Sequence, residues 1–421
     1  MISRFLLMLA GLLLIDGFTW AQSPDGKFLA GWLKQQPELK QVVDKRKQYE
    51  IQIIYSQINR DAANVPNFTT YHFNVDTNRY FYPASTVKFP MVLLALEKLN
   101  RLNIPEVNMN TTVYYDSVFS GQRRQRADTT TEGGVPTLGH FAKRVFVVSD
   151  NHGYNRLYEF VGQREANTAL QQKGYNLRIL HRLDRPLSPK QNRATEPVTF
   201  MQGDRVLHHQ PMLVNDSIPV RKKFVKGRAY YSNGALVRKP MDFSYRNYFH
   251  LADQHEMLKA VLFPSAVPEK KRFNLSSVQH RWVLKHMSQL PAETIYPPYY
   301  RDSVYRDNYV KPLWFEGDPV AIPSHIRIFN KIGTAYGFMI DNAYIVDFKE
   351  GIEFMLSVVI YTNKDQIFND DKYEYETVAM PFLKNLGKAF YELEKARPKK
   401  YKPDLSEFKF EYDLKTLKIE R

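Results

Sequence analysis

The sequence predicts an α/β (α+β) fold, with an antiparallel sheet built from both ends of the chain and a helical subdomain inserted between them. Three observations carry this. Segments rich in β-branched and aromatic residues lie near both ends, at Glu50–Gln57 and Thr69–Val75 and again at Asn342–Phe348 and Ile352–Tyr361. Amphipathic patterns flank them, at Phe28–Lys47 and Glu374–Lys395. Between Asn103 and the Pro-rich stretch Pro312–Pro323 the chain reads as helix and loop, without repeats. The expected division is 22–102 with 325–396 for the sheet subdomain and 103–324 for the helical one. The latter carries a basic insertion around 203–250, and 397–421 reads as a charged tail.

In chain order, residues 1–21 read as an export signal. Arg4 supplies the positive start, Phe5–Ile15 the apolar run, and Thr19-Trp20-Ala21 a cleavage site that leaves Gln22 first. A membrane anchor needs about 20 apolar residues; this run is shorter and Asp16 interrupts it. No cysteine follows to take a lipid. The expected location is therefore periplasmic or secreted, with cleavage near Ala21 and no stable membrane anchor afterwards. In the first mature helix Leu29, Trp32, Leu33, Leu39 and Val42 fall near helical spacing, and Pro37 is expected to kink or divide it. A polar turn with Asn59, Asp61 and Asn64 separates the first two strands, and Ser85–Leu99 follows as a helix. Lys349-Glu350-Gly351 joins the last two strands.

The 421 residues are 43% hydrophobic and 24% charged, which excludes wholesale disorder. With Lys+Arg 59 and Asp+Glu 44, the net charge of +15 favours polyanionic surroundings. An exported address turns that preference from nucleic acid toward lipid and wall polymers. The absence of Cys excludes disulfides, thiolate metal sites and a cysteine nucleophile.

The sharpest local feature is Ser85-Thr86-Val87-Lys88, where a loop meets an apolar helix. One helical turn separates Ser85 from Lys88, so both face the same way. A serine hydroxyl is a weak nucleophile until a base takes its proton, and a desolvated lysine can be that base. Free N–H groups at the helix start suit a developing oxyanion. The plain alternative is a Ser cap followed by a solvated Lys. Ser149-Asp150-Asn151 alone is a helix-capping sequence, and Lys331-Ile332-Gly333-Thr334 alone a strand start.

Together the three, in the order S-x-x-K, S-D-N, K-x-G-T, resemble the class A β-lactamases and penicillin-binding proteins. The resemblance covers most of the chain and implies a β-lactamase/transpeptidase-like fold with its cleft between sheet and helices. It implies Ser85 as nucleophile, Lys88 as base or relay, and Ser149 as relay toward the leaving nitrogen. It implies Asn151 on the substrate amide, Lys331 with Thr334 on the substrate carboxylate, and Gly333 where the substrate backbone approaches. The Ser85 N–H is expected to form half of the oxyanion hole. No cofactor or metal is implied, and the substrate is a β-lactam or a peptidoglycan peptide.

Two departures stand out. Arg182-Leu183-Asp184-Arg185 resembles the start of the loop that borders the class A site, but Pro186-Leu187-Ser188-Pro189 follows where that family has Glu-Pro. The deacylating Glu is missing there; Asn192 resembles the loop's Asn, and Glu196 reads as a surface carboxylate at the loop's exit. In the third motif Ile332 replaces Thr or Ser. Strict alternation puts Lys331 and Thr334 on opposite faces, so a bulge is expected if both reach the cleft. The basic segment Arg205–Arg246 reads as a surface insertion or a wall-binding flap, with a hairpin at Ser232-Asn233-Gly234. His208, His209, His250 and His255 lack metal-site spacing. The sequence thus reads as an exported serine hydrolase acting on β-lactam amides through an acyl-serine. A D,D-peptidase or esterase with slow deacylation, and a non-catalytic penicillin-binding sensor, are the alternatives.

Overall fold

The computed structural model describes residues 25–119, 121–220, 222–315 and 322–413, so the export signal lies outside the described residues. Pro37 divides the first helix as expected, into α1 (Asp25–Lys34) and α2 (Pro37–Asp44), with the proline at the first helical position, where its missing N–H costs nothing. Two early strands follow, β1 (Gln52–Arg60) and β2 (Pro66–Phe73). Longer helices that frame the site are α3 (Lys88–Leu102), α4 (Leu138–Val148), α5 (Asn151–Val161), α6 (Leu251–Leu262) and α7 (Ser277–Ser288), with α8 (Met380–Ala396) near the end.

The basic segment holds a small hairpin, β3 (Ala229–Ser232) with β4 (Ala235–Val237). The late strands are β5 (Ile326–Ala335), β6 (Phe338–Asp347) and β7 (Ile352–Tyr361). Strands from both ends of the chain join in one antiparallel sheet of order β5-β6-β7-β1-β2, with β1 against β7. Every residue of β6 and β7 is buried because both faces are covered, which is why they read as continuous apolar runs. On one face Leu33, Leu39, Leu383 and Phe390 of the terminal helices pack on Phe354, Leu356 and Val358. On the other, residues of α3 to α7 share a core with Phe329, Tyr344 and Met355. No helix among the described residues is long and apolar enough to cross a membrane.

Two expectations change. The middle of the chain is not helical throughout: between Leu177 and Phe249 it runs mainly as short strand pairs, too brief to show a period. As far as Asp413 the charged tail is packed, since Leu405 and Phe408 are buried and Asp413 pairs with Lys143 at 2.6 Å. The outer edge of β5 is fastened from behind. Buried Lys311 donates to Met287 O at 2.7 Å, Ile328 O at 2.8 Å and Asn330 Oδ1 at 2.7 Å. Burial lowers its ammonium to about 7 and raises the carboxyl of neighbouring Asp341 to about 7.

Candidate active site

Ala84 sits in the left-handed region at φ +48°, a conformation a residue with a Cβ rarely adopts. It turns the chain so that Ser85 enters a single tight turn, Ala84–Val87, held by Thr86 N and Oγ1 on Pro83 O at 3.1 and 2.8 Å. α3 begins directly after, at Lys88. Ser85 is half-buried, whereas Lys88 is fully buried and its Nζ donates to the Ser149 carbonyl and lies 3.3 Å from Ser149 Oγ. A solvated lysine is thereby excluded.

Ser149 is the left-handed residue, φ +56°, between α4 and α5. Asp150 then caps α5 by accepting the Gly153 N–H at 2.6 Å, and pairs with Arg144 at 3.2 Å. The two helices cross so closely that a Cβ on Gly153 would lie 2.6 Å from Phe141 O. Asn151 opens α5, half-buried. From the sheet, buried Lys331 donates to Ser149 Oγ at 2.8 Å and to Ile332 O at 2.9 Å. Gly333 brings the edge strand against the nucleophile turn: a Cβ there would lie 2.6 Å from Pro83 O and 3.1 Å from Ser85 N. The structure thus joins Ser85, Lys88, Ser149, Lys331 and Gly333.

Two ammonium groups therefore converge on one hydroxyl in a buried site. Desolvation lowers Lys88 to about 7, with the Asp150 and Asp184 carboxylates opposing. It takes Lys331 well below the ordinary lysine range, assisted by the charge of Lys88 and opposed by Asp341. Lys88 can thus give up its proton near neutrality, as a serine-activating base must.

Thr334 differs from expectation. The β5–β6 ladder runs without a register shift from Ile326↔Asp347 to Ala335↔Phe338, so the bulge is absent. Lys331 and Thr334 stay on opposite faces, Lys331 buried and Thr334 exposed on the edge strand.

The loop between the short strands Leu177–Arg178 and Ala194–Thr195 is built on buried Arg182. Its guanidinium grips Glu159 with two bonds of 2.9 and 2.7 Å and stacks over Tyr158 at 4.5 Å. Asn192 Oδ1 accepts the Arg182 N–H at 2.9 Å, while its Nδ2 donates to Leu187 O at 3.1 Å, so this Asn pins the loop to itself. Arg182→Met is expected to cost about 3–5 kcal/mol, because it strands a buried carboxylate. A urea midpoint shift worth less than about 1 kcal/mol would contradict this.

Glu196 is not a surface carboxylate. It is fully buried, and its oxygens accept the N–H groups of Val118 at 2.6 Å and Phe119 at 3.1 Å. The residue that sequence reasoning passed over is Asp184, exposed and left-handed at φ +53° two positions after Arg182. Its charge reaches Lys88. The only sequence signal was a carboxylate so close behind the loop's anchoring arginine. Among the histidines, His255 bridges Ser56 and Ser357 at 2.8 Å each, inside the core.

Residues 35–215, which hold Ser85, Lys88, Ser149 and Asp184, match the model of the β-lactamase enzyme family. No curated protein matches the chain. Among solved structures it is similar to the chromosome-encoded β-lactamase of Vibrio parahaemolyticus, 14% identical over 85% of this chain and 99% of that one, TM-score 0.44. A β-lactamase from Chitinophaga pinensis is 11% identical over 85% and 98%, TM-score 0.46. One from Sphaerobacter thermophilus is 13% identical over 85% and 96%, TM-score 0.43. The match to the β-lactamase enzyme family thus spans two of the three motifs, and the third folds onto them.

Proposed function

We propose that the chain is an exported acyl-serine enzyme that opens β-lactam amides at Ser85. The carrying observation is the convergence on Ser149 of Lys331 and of Lys88, which follows Ser85 by three residues. Ser85 Oγ attacks the amide carbonyl and its proton passes to neutral Lys88. The developing oxyanion is met by the Ser85 N–H beside the Gly333 backbone. As the C–N bond breaks, Ser149 delivers a proton to the leaving nitrogen and is resupplied from Lys331 or Lys88. Asn151 at the start of α5 holds the substrate amide. A substrate carboxylate beside Lys331 favours its ammonium form, which desolvation otherwise disfavours.

Hydrolysis of the ester then needs a base for water, and the exposed Asp184, whose charge acts on Lys88, is our candidate for it. Its side chain is one methylene shorter than a Glu, and the loop beyond it is shaped by Pro189 in a short capped helix, Pro189–Arg193. This supports slow deacylation, which is also how a D,D-peptidase handles a β-lactam. Nitrocefin separates the two readings: steady turnover after the first equivalent marks a lactamase, and a burst of one equivalent followed by a flat trace marks the peptidase.

Acylation is expected to depend on pH in one direction. Lys88 acts unprotonated and its ammonium titrates at about 7, so the rate is low in acid, rises through pH 7 and levels above it. Stopped-flow labelling with a fluorescent penicillin between about pH 5.5 and 8.5 reads this. A flat profile would remove Lys88 as the titrating base.

A further inference from the structure

The segment Arg205–Arg246 holds nine Lys or Arg against two Asp, which is +7 of the chain's +15. The fold presses it onto the end of the sheet instead of leaving it loose. β3 pairs with β4 around a two-residue turn, Asn233 and Gly234 both at positive φ, and runs parallel to Ile367–Phe368. At Gly227, φ +70°, an added Cβ would lie 2.6 Å from both Gln366 O and the Phe368 ring, so only glycine permits the crossing. Met241 and Phe243 join a core with Phe338, Tyr361 and Phe368.

This seam encloses a cleft of about 410 Å³ between the insertion, the turn Lys47–Glu50 and the residues after β7. That volume lies within the range of about 300–1,000 Å³ typical of ligand sites. Three separate segments each bring a lysine to it: Lys47, Lys226 and Lys364. Glu50 is the carboxylate on the lining, and both its oxygens are taken by Lys226, at 2.8 and 2.6 Å. Lys47 and Lys364 are exposed and have no ion-pair partner among the described residues. Arg228, at the rim, spends its Nε on the Asp365 carbonyl at 2.8 Å, which neutralises none of its charge.

We propose that this cleft binds an acidic polymer, a chain presenting carboxylates or phosphates at repeated intervals, at a site separate from Ser85. A single small anion would meet exposed ammonium groups in competition with water and salt. A polymer threads the concavity and engages Lys47, Lys364 and the flanking basic residues at once, so weak contacts multiply. The concave shape favours a strand over a bilayer, whose flat surface would leave the recessed charge unmet.

The test uses the full chain and two labelled probes, poly-D-glutamate and inorganic polyphosphate, followed by fluorescence anisotropy. Saturable, salt-sensitive binding is expected, and the tighter probe names the oxyanion. The double variant K47E/K364E, changed only at exposed positions, is expected to lose about tenfold or more in affinity. Its circular dichroism and melting midpoint are expected to stay as in the parent. Lys270→Glu, an exposed control on a different segment, is expected to bind as the parent does. The proposal is overturned if neither probe binds, if K47E/K364E binds normally, or if Lys270→Glu is equally harmful. Tighter capture by phosphatidylglycerol vesicles than by either polymer would overturn it too, in favour of a membrane surface. None of these readouts uses Ser85, so failure of the catalytic reading and failure of this one are distinguishable.

Discussion

Replacing Ser85 by Ala is expected to abolish covalent labelling by a fluorescent penicillin while leaving the fold intact. Removing a catalytic serine can cost on the order of 10⁶-fold in rate, because no other group in the site then carries the acyl chain. The fold is expected to survive because the turn does not lean on the Ser85 hydroxyl. Thr86 N and Oγ1 secure it on Pro83 O, and Val87 and Lys88 are buried independently of Ser85. Denaturation midpoints for the two proteins are expected to agree within about 1 kcal/mol, as for a half-exposed substitution without a structural partner. Gel fluorescence after penicillin exposure, with peptide mapping, reads the result. Labelling that persists in Ser85→Ala would move the nucleophile to another hydroxyl, and Ser149 between its two lysines would be the one to map.

The long strands were legible because their burial is a property of the segment itself. β7 begins and ends where the apolar run Ile352–Tyr361 does, since a strand covered on both faces needs nothing from elsewhere to declare it. Pro37 and the Asn233-Gly234 turn were legible for a similar reason: backbone chemistry at one or two residues decides them. The short strands between Leu177 and Phe249 were not. Most hold two to six residues, and the distant segments they pair with, such as Ile367–Phe368 for β3, are not marked in the local pattern.

The site divides along the same line. Ser85, Lys88, Ser149 and Lys331 were found through short motifs whose spacing carries the chemistry. Glu196 was misread because its burial depends on backbone N–H groups 77 and 78 positions earlier, at Val118 and Phe119. Alternation separated Lys331 from Thr334 correctly, but the bulge invoked to reunite them does not exist, since the edge strand exposes Thr334 without one. Asp184 was passed over because its exposure and its left-handed backbone are not displayed by a sequence.

Deacylation is where the second large effect is expected. An acyl-serine ester survives unless a base delivers water to it, and a placed carboxylate is worth about 10²–10⁴-fold in that proton transfer. Glu196 cannot be that base, because it is fully buried and its oxygens hold the Val118–Phe119 backbone. Leu187, where the class A resemblance led us to expect Glu, cannot accept a proton. Of the two carboxylates whose charge acts on Lys88, Asp150 is engaged in capping α5 and pairing with Arg144, and we propose the exposed Asp184. Intact-protein mass spectrometry after brief exposure to penicillin is therefore expected to show one penicilloyl adduct on the parent that decays slowly. In Asp184→Asn the adduct is expected to last longer by about 10²-fold or more, with acylation little changed because Lys88 and Ser149 are untouched. In Glu196→Gln its lifetime is expected to stay within a factor of about three of the parent, since that side chain anchors a loop and handles no proton. An adduct that clears within seconds in the parent and accumulates in Glu196→Gln would overturn this assignment. It would mean that the loop opens in solution and presents the buried carboxylate to the ester.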